Sequence, residues 1–414
     1  MSRRKEVLAL VVGGGPAPGI NGVISAATIE ALNRGLVVLG ISGGFKSLFE
    51  GRQKAARRLT LEAVSRIHST GGSILGTSRE FPRDFQRQFA LLLQTLKGLK
   101  VRYLITIGGE GTLHMARLIQ EASQCAVVHV PKTIDNDLPL PAGLPTFGYE
   151  TARHWGVEIV KNLMEDARAT ERWYFVKTMG RFTGHLALGI GKAAGATITL
   201  IPEEFPRGCS IHQVADTLEG AIIKRLSMGR HYGVAVLAEG ISGRLESRQL
   251  QEIGPVATDE AGRVSLTKIK LEEALMHLVS QSMAKRGLRG PAILALDIGY
   301  ELRAAPPIPF DAEYTRNLGY GAVKELLEGG RAAVVVFYEG RLKALPFKDM
   351  LGPDGAVRLR YIDTSSEGYT VARKYMLRLE PEDLKGARLR RLAQAARMSP
   401  AELKARFSYL FRGP

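Results

Sequence analysis

The chain has 414 residues, 45% hydrophobic and 24% charged, with 57 Lys and Arg against 41 Asp and Glu for a net charge of +16. That length exceeds one ordinary core and predicts about two to three domains. The basic balance favours anionic small molecules such as phosphorylated metabolites, pyrophosphate or nucleotides, whereas two cysteines, Cys125 and Cys209, are too few for a disulfide framework or a metal site.

Nucleic acid is not an expected partner. Basic residues are scattered through helix-like segments, only Lys385 to Arg412 is clustered, and no zinc-finger, basic-zipper or RNA-binding pattern occurs. The apolar run after Arg3-Arg4-Lys5 is too short for a signal segment, and no stretch reaches a membrane span. A cytoplasmic, soluble protein with no membrane partner is expected.

Val7 to Val12 is apolar throughout and suits a strand buried on both faces of a parallel sheet. It runs into Gly13-Gly14-Gly15-Pro16-Ala17-Pro18-Gly19 and then a helical pattern from Val23 to Leu32. Strand, glycine loop, helix offers backbone N–H groups to phosphate. The loop matches neither the Rossmann fingerprint nor Walker A, and a ligand-free tight turn has the same composition. Leu36 to Ile41 reads as a second strand and Leu61 to His68 as a short helix. Gly71 to Arg79 is another Gly/Ser/Thr loop, leading into a basic stretch through Arg83; Arg79 suits a phosphate clamp or a solvated loop position.

Gln86 to Leu99 is helical and Val101 to Ile107 a buried-strand run, ending in Gly108-Gly109-Glu110-Gly111-Thr112 before the helix Leu113 to Ala122. A carboxylate beside a phosphate cradle repels the ligand unless Mg²⁺ lies between them. The strand Ala126 to Val130 delivers Pro131-Lys132-Thr133-Ile134-Asp135-Asn136-Asp137, a stiff acidic loop that suits either chemistry or an Asx-rich turn. Loops at the ends of neighbouring parallel strands converge in one crevice.

A long amphipathic helix lies within Thr146 to Ala169, followed by the strand Trp173 to Thr178 and Met179-Gly180-Arg181. His185 reads as a helix-start residue more than as a base. Leu186 to Ala194 is helical, Thr197 to Pro202 a strand, Ile211 to Met228 a helix, and Tyr232 to Ala238 a strand ending in Glu239-Gly240. Gln249 to Ser265 reads as a hairpin or loop, Leu271 to Lys285 as helix, Ala292 to Ile298 as strand, Asp311 to Glu328 as helix and Ala332 to Phe337 as strand. Beyond Lys348 the alternation stops, and Ser399-Pro400-Ala401-Glu402 forms a capping box for a final basic helix.

Taken in order, Gly14 to Asn21, Gly72 to Arg79, Gly108 to Thr112, Pro131 to Asp137, Met179-Gly180-Arg181, Glu239-Gly240 and Gly299 to Arg303 resemble the loops of phosphofructokinases. The resemblance is to the long bacterial group with pyrophosphate-dependent and mixed-donor members, and it covers about Val7 to Leu379. It implies an α/β fold of two Rossmann-like three-layer α/β/α domains with mainly parallel sheets, a site in the cleft between them, and a helical C-terminal extension. The implied bounds are 1–146 plus about 302–345 for the donor domain, 147–301 for the sugar-phosphate domain and 346–414 for the extension.

The same resemblance implies roles. Asp135 looks like the general base on the sugar 1-hydroxyl, with Thr133 orienting substrate and Asp137 supporting the site. Arg181 resembles the cation that stabilises the transferring phosphoryl group; Met179 and Gly180 shape the sugar pocket and Glu239 binds sugar hydroxyls. Arg303 matches a 6-phosphate ligand with Tyr300 beside it, and Arg172 an arginine that enters a neighbouring subunit's site, which implies a homodimer or homotetramer. Gly15, Arg79, Gly109, Gly111, Thr112 and Lys132 match donor-binding positions, and Glu110 stands where an aspartate usually binds Mg²⁺.

Two positions bear on the donor. Gly111 replaces an aspartate found in pyrophosphate-dependent members, which makes room for ATP, while Lys132 replaces a glycine of ordinary ATP enzymes. Met115 stands where ATP enzymes carry glycine. Leu294, nine residues before Arg303, replaces a phosphate-binding arginine, with Arg286 or Arg289 as candidate substitutes. The expected activity is Mg²⁺-dependent 6-phosphofructokinase using ATP and fructose 6-phosphate, the alternative a reversible pyrophosphate-dependent enzyme. A non-catalytic sugar-phosphate sensor is more remote, because Asp135, Glu110 and Arg181 are all present. An NAD kinase-like enzyme does not account for Pro131 to Asp137.

Overall fold

Branched apolar runs make the inner strands. In a computed structural model that describes residues 5–79, 82, 84–253, 269–288 and 290–411, β1 is Val7–Val12, with Leu8 to Val12 fully buried. The strands that follow are β2 (Val37–Ile41), β3 (Ala56–Arg58), β4 (Val101–Gly108) and β5 (Ala126–Pro131). Next come β6 (Trp173–Thr178), β7 (Ile198–Leu200), β8 (Gly233–Ala238) and β9 (Ile293–Ile298), then β10 (Ala333–Tyr338) and β11 (Arg341–Pro346). Arg3, Arg4, Arg83, Arg289, Arg412 and most of the expected loop up to Ser265 lie outside the described residues.

The described chain divides into two units. One gathers the residues through Ala152 together with Tyr300–Arg360; the other gathers those from Arg153 to Gly299 together with those from Tyr361 on. In the first unit a seven-stranded sheet has the order β11-β10-β5-β4-β1-β2-β3, parallel except at its two edge pairs, β10 with β11 and β2 with β3. Helices Ile20–Asn33 and Pro309–Leu327 pack together, and Asp311, fully buried, accepts from the amides of Gly148 and Thr151 at 2.8 Å each. That carboxylate satisfies donors at the start of helix Tyr149–Thr170, which lack intrahelical partners.

The second unit carries an all-parallel four-stranded sheet of order β7-β8-β6-β9. Its C-terminal residues are held by charge as well as by packing. Arg378 donates to Glu204 and to Thr199 O at 2.8 Å, Lys224 pairs with Asp383 at 2.6 Å, and Arg406 pairs with Asp216 and with buried Glu219. The helix Pro400–Phe407 starts on the expected capping box, with Ser399 Oγ accepting from Glu402 N at 3.2 Å.

Two expectations need correction. Leu61–Val64 is a single helical turn that stops short of His68, and Ser247–Ile253 is helical where a hairpin or loop was expected. The edge strands β3 and β11 had no counterpart in the sequence reading.

Candidate active site

β5, β4 and β1 are adjacent and parallel, so their carboxyl ends bring three loops together within the first unit. The loop after β1 is stitched to the chain that carries Arg79. Gly14 N donates to Ser78 O at 2.8 Å, and the Thr77 hydroxyl donates to Gly14 O at 2.6 Å. Gly13 and Gly108 both press on Thr112: a Cβ on either would stand 2.3 or 2.1 Å from its hydroxyl oxygen. The Thr112 side chain thus wedges between two loops, and neither loop accommodates a side chain there.

Gly15 is the point where cations converge. A Cβ on it would fall 1.8 Å from Nη2 of Arg303 and 2.6 Å from Nη2 of Arg79. Lys132 Nζ donates to Gly15 O at 2.5 Å. Lys132 and Arg303 are buried, which is costly for cations unless an anion joins them. Helices Ile20–Asn33 and Glu110–Ala122 begin at Gly19 and Gly109, neither with a side-chain cap, so their positive ends add to the same field. Burial first, then Arg79 and Arg303, pull the Lys132 ammonium down to about 7, while Asp135 and Asp137 act the other way. Chemically, this arrangement suits an anion.

Gly15→Ala is expected to fold, because the atoms nearest to the added methyl group belong to the ends of two long side chains rather than to backbone. It should displace both guanidinium groups and weaken sulfate or pyrophosphate binding about 10- to 100-fold, the worth of a lost charged hydrogen bond. Isothermal titration with an unchanged melting temperature checks this.

The acidic loop is rigid for local reasons. Thr133 Oγ1 accepts from Asp135 N at 3.0 Å, a Thr turn that fixes the base of the Asp135 side chain. Asn136 is left-handed at φ 56, and its Oδ1 accepts from Thr146 N at 3.0 Å. The Thr146 hydroxyl donates to Thr133 O at 2.7 Å. Asp137 is buried, and its carboxyl is pushed up by burial first, then by Asp135 and, more weakly, Glu110. Three carboxylates therefore share a neighbourhood with three cations. Among the described residues no three His, Cys, Asp or Glu side chains close into a metal cage. A hard cation would instead be held by a carboxylate such as Glu110 plus phosphate oxygens, the usual manner of Mg²⁺.

A second cluster forms within the other unit. β6 and β8 are paired with Thr178 opposite Ala238, so Met179-Gly180-Arg181 and Glu239-Gly240 leave the sheet side by side. A Cβ on Gly240 would stand 3.0 Å from Gly180 O, and one on Gly299 2.9 Å from Met179, so the three strand-end loops touch. Glu239 is buried, and the Arg181 guanidinium lies 5.0 Å from the Phe182 ring centre.

Other candidates are not gathered into these clusters. Arg172 precedes β6, at the strand end opposite Met179. Tyr300 is 71% exposed, with the Arg303 guanidinium 5.4 Å from its ring. Leu294 is exposed on the edge strand β9, Met115 is a core residue, and Arg286 is paired with Glu219. His185 begins the helix His185–Ala194. Thr146 and Arg360, which brace the acidic loop, were missed because no local pattern marks either residue.

A phosphofructokinase family model matches residues 7–326. Among curated proteins, the pyrophosphate–fructose 6-phosphate 1-phosphotransferase of Thermotoga maritima is 51% identical over 97% of this chain and 98% of its own. The Naegleria fowleri protein of the same name is 43% identical over 97% and 95%. The ATP-dependent 6-phosphofructokinase of Mycobacterium bovis is 31% identical over 83% and 93%. A solved structure of phosphofructokinase from Saccharomyces cerevisiae has the same fold, with a TM-score of 0.66 at 20% identity over 98% of this chain, which spans half of that longer yeast chain.

Proposed function

We propose, from the premise that this chain belongs to the phosphofructokinase family, that it reversibly transfers a phosphoryl group from pyrophosphate to the 1-hydroxyl of fructose 6-phosphate. The observation that carries the reading is the cradle at Gly15, where Lys132, Arg79 and Arg303 meet. Three cations in so small a space suit a compact, highly charged donor without a nucleoside. The two relatives of 51% and 43% identity, both named for pyrophosphate, support it over the ATP expectation drawn from Gly111.

In this reading Asp135 takes the proton of the 1-hydroxyl, and the freed oxygen attacks one phosphorus of pyrophosphate. The bond from that phosphorus to the bridging oxygen breaks, and orthophosphate leaves into the hold of Lys132, Arg79 and Arg303. Arg181 stabilises charge on the phosphoryl group in transit, where fixed cations lower the barrier most. Arg303, expected as a 6-phosphate ligand, here serves the donor. Glu110 and the donor's oxygens would hold Mg²⁺, which when bound neutralises phosphate charge. Sugar contacts fall to Thr133, Asp137, Met179, Gly180 and Glu239. Arg172, at the far end of β6, is assigned to a neighbouring copy's site.

Gly111 favours a second reading, use of ATP. It is exposed, and an added Cβ meets nothing within 4 Å. Product formed from each donor at matched Mg²⁺ decides between them; turnover with ATP alone overturns the pyrophosphate reading. Gly111→Asp is sterically free and adds an acidic residue to a helix N-terminus, so it should fold. If ATP is used at all, this substitution should cut ATP-supported kcat/KM at least about tenfold, a repulsion of about 1.4 kcal/mol, and leave pyrophosphate-supported turnover nearly unchanged.

A further inference from the structure

We propose that Arg360 is a positioning residue for the phosphoryl-transfer step, holding the acidic loop that presents Asp135; this rests on the function proposed above. Arg360 lies well past the last residue matched by the family model, residue 326, in a part of the chain with no β/α pattern. Its side chain nevertheless belongs to the loop. Nε and Nη2 donate to Asn136 O at 3.2 and 3.0 Å, Nη1 donates to Leu144 O at 2.9 Å, and Nη2 also donates to Asn136 Oδ1. Its own backbone N–H donates to Asp137 O at 2.7 Å.

These bonds do something the loop cannot do alone. Asn136 sits in the left-handed region at φ 56, which Asn enters more readily than most L-residues when local hydrogen bonds hold it there. The carbonyl exposed by that turn is the one Arg360 grips, while the amide oxygen is shared between Arg360 and Thr146. From Thr146 the chain of bonds continues to Thr133 O, and the Thr133 hydroxyl takes the amide of Asp135. A continuous path thus runs from the guanidinium to the backbone of the proposed base. Only a planar fork of donors reaches both Asn136 and Leu144 at once, so lysine is not an equivalent.

Bonds from Arg360 run to Asn136, Asp137 and Leu144 and on to the backbone of Asp135, so the loss should fall mainly on kcat. Arg360→Lys and Arg360→Ala, assayed well below their melting temperatures with saturating sugar phosphate and donor, are expected to lose about 10- to 100-fold in kcat, the usual cost of misplacing a catalytic group by about 1 Å. KM for each substrate should change less than about threefold, and millimolar guanidinium ion should restore part of kcat in Arg360→Ala but not in Arg360→Lys. A folded variant with kcat within twofold of the parent, or a loss carried by KM alone, overturns the proposal. If Arg360→Ala does not fold, the Lys variant, which keeps charge and stem, decides it. The unaltered enzyme assayed alongside separates the two readings: no turnover with any donor removes the proposed function, whereas normal turnover with indifferent Arg360 variants removes only the role of Arg360.

Discussion

Asp135→Asn is expected to lower kcat by about 10²–10⁴-fold, the range for removing a positioned general base, while KM for fructose 6-phosphate moves little. Asparagine is nearly isosteric, so the turn made by Thr133 and the Asp135 amide survives. What disappears is the site that accepts the 1-hydroxyl proton. The loss should be felt in both directions of the reaction, because the protonated form of the same carboxyl is the acid for the reverse step. Rapid-quench measurement of the first turnover checks it: a burst of normal rate followed by slow cycling would place the defect in product release and remove Asp135 as the base. Parallel titration with sugar phosphate should give binding close to that of the parent.

Lys132→Met should lower pyrophosphate-supported kcat/KM by about 10²–10³-fold, since truncating one member of a buried, hydrogen-bonded charge cluster costs a few kcal/mol. The stem of methionine fills most of the same space, which keeps the loss electrostatic. A pH effect accompanies it. The Lys132 pKa is depressed to about 7 in the ligand-free protein, mainly by burial. An anion that needs the ammonium must draw a proton onto it above that pH, so affinity falls as pH rises from about 7. Sulfate, which does not titrate in this range, is the cleanest probe, and Lys132→Met should remove the slope. The stability sign is opposite: above pH 7 the unfolded chain holds a proton at Lys132 that the folded chain has released, so this lysine makes unliganded stability rise until its unfolded pKa is passed. A sulfate affinity flat between pH 7 and 8.5 in the parent enzyme would show that the Lys132 ammonium is not depressed into this range, and a Lys132→Met variant with parental sulfate affinity would exclude it from anion binding.

The strands that frame the site were legible because a parallel strand covered on both faces is mostly apolar: β1 is apolar throughout, β4 admits only the exposed Arg102 near its start, Tyr103 and Thr106, and β5 only His129. The loops were legible because close backbone approach demands glycine, as at Gly13 and Gly108 against Thr112. Edges follow other rules. β3 is Ala-Arg-Arg, which no hydrophobic pattern reveals, and β11 alternates only weakly. Its hairpin did carry a signal, Glu339-Gly340 with φ of 54° and 71°, the positive pair that a tight two-residue hairpin turn requires. The helix Gly44–Phe49 hides behind two left-handed glycines at its start. What sequence spacing could not give is which distant cations share a point. Arg303 stands against Gly15 because the chain rejoins the first unit at Tyr300, ahead of the helix Pro309–Leu327 that packs on Ile20–Asn33, and Arg360 stands against Asn136 after β10 and β11 have joined the first sheet.

That return has a consequence for synthesis. β5 pairs with β10 through Ala333 opposite Val128, yet β10 is translated only after every strand of the second unit. Until the ribosome has released it, the nascent first sheet ends in β5, an apolar strand with one unpaired side, the kind of edge that captures other chains. Premature termination between Arg153 and Gly299 should therefore yield aggregates rather than a smaller folded enzyme, and a shelter over that edge during translation would matter more to yield than the final stability of the sheet.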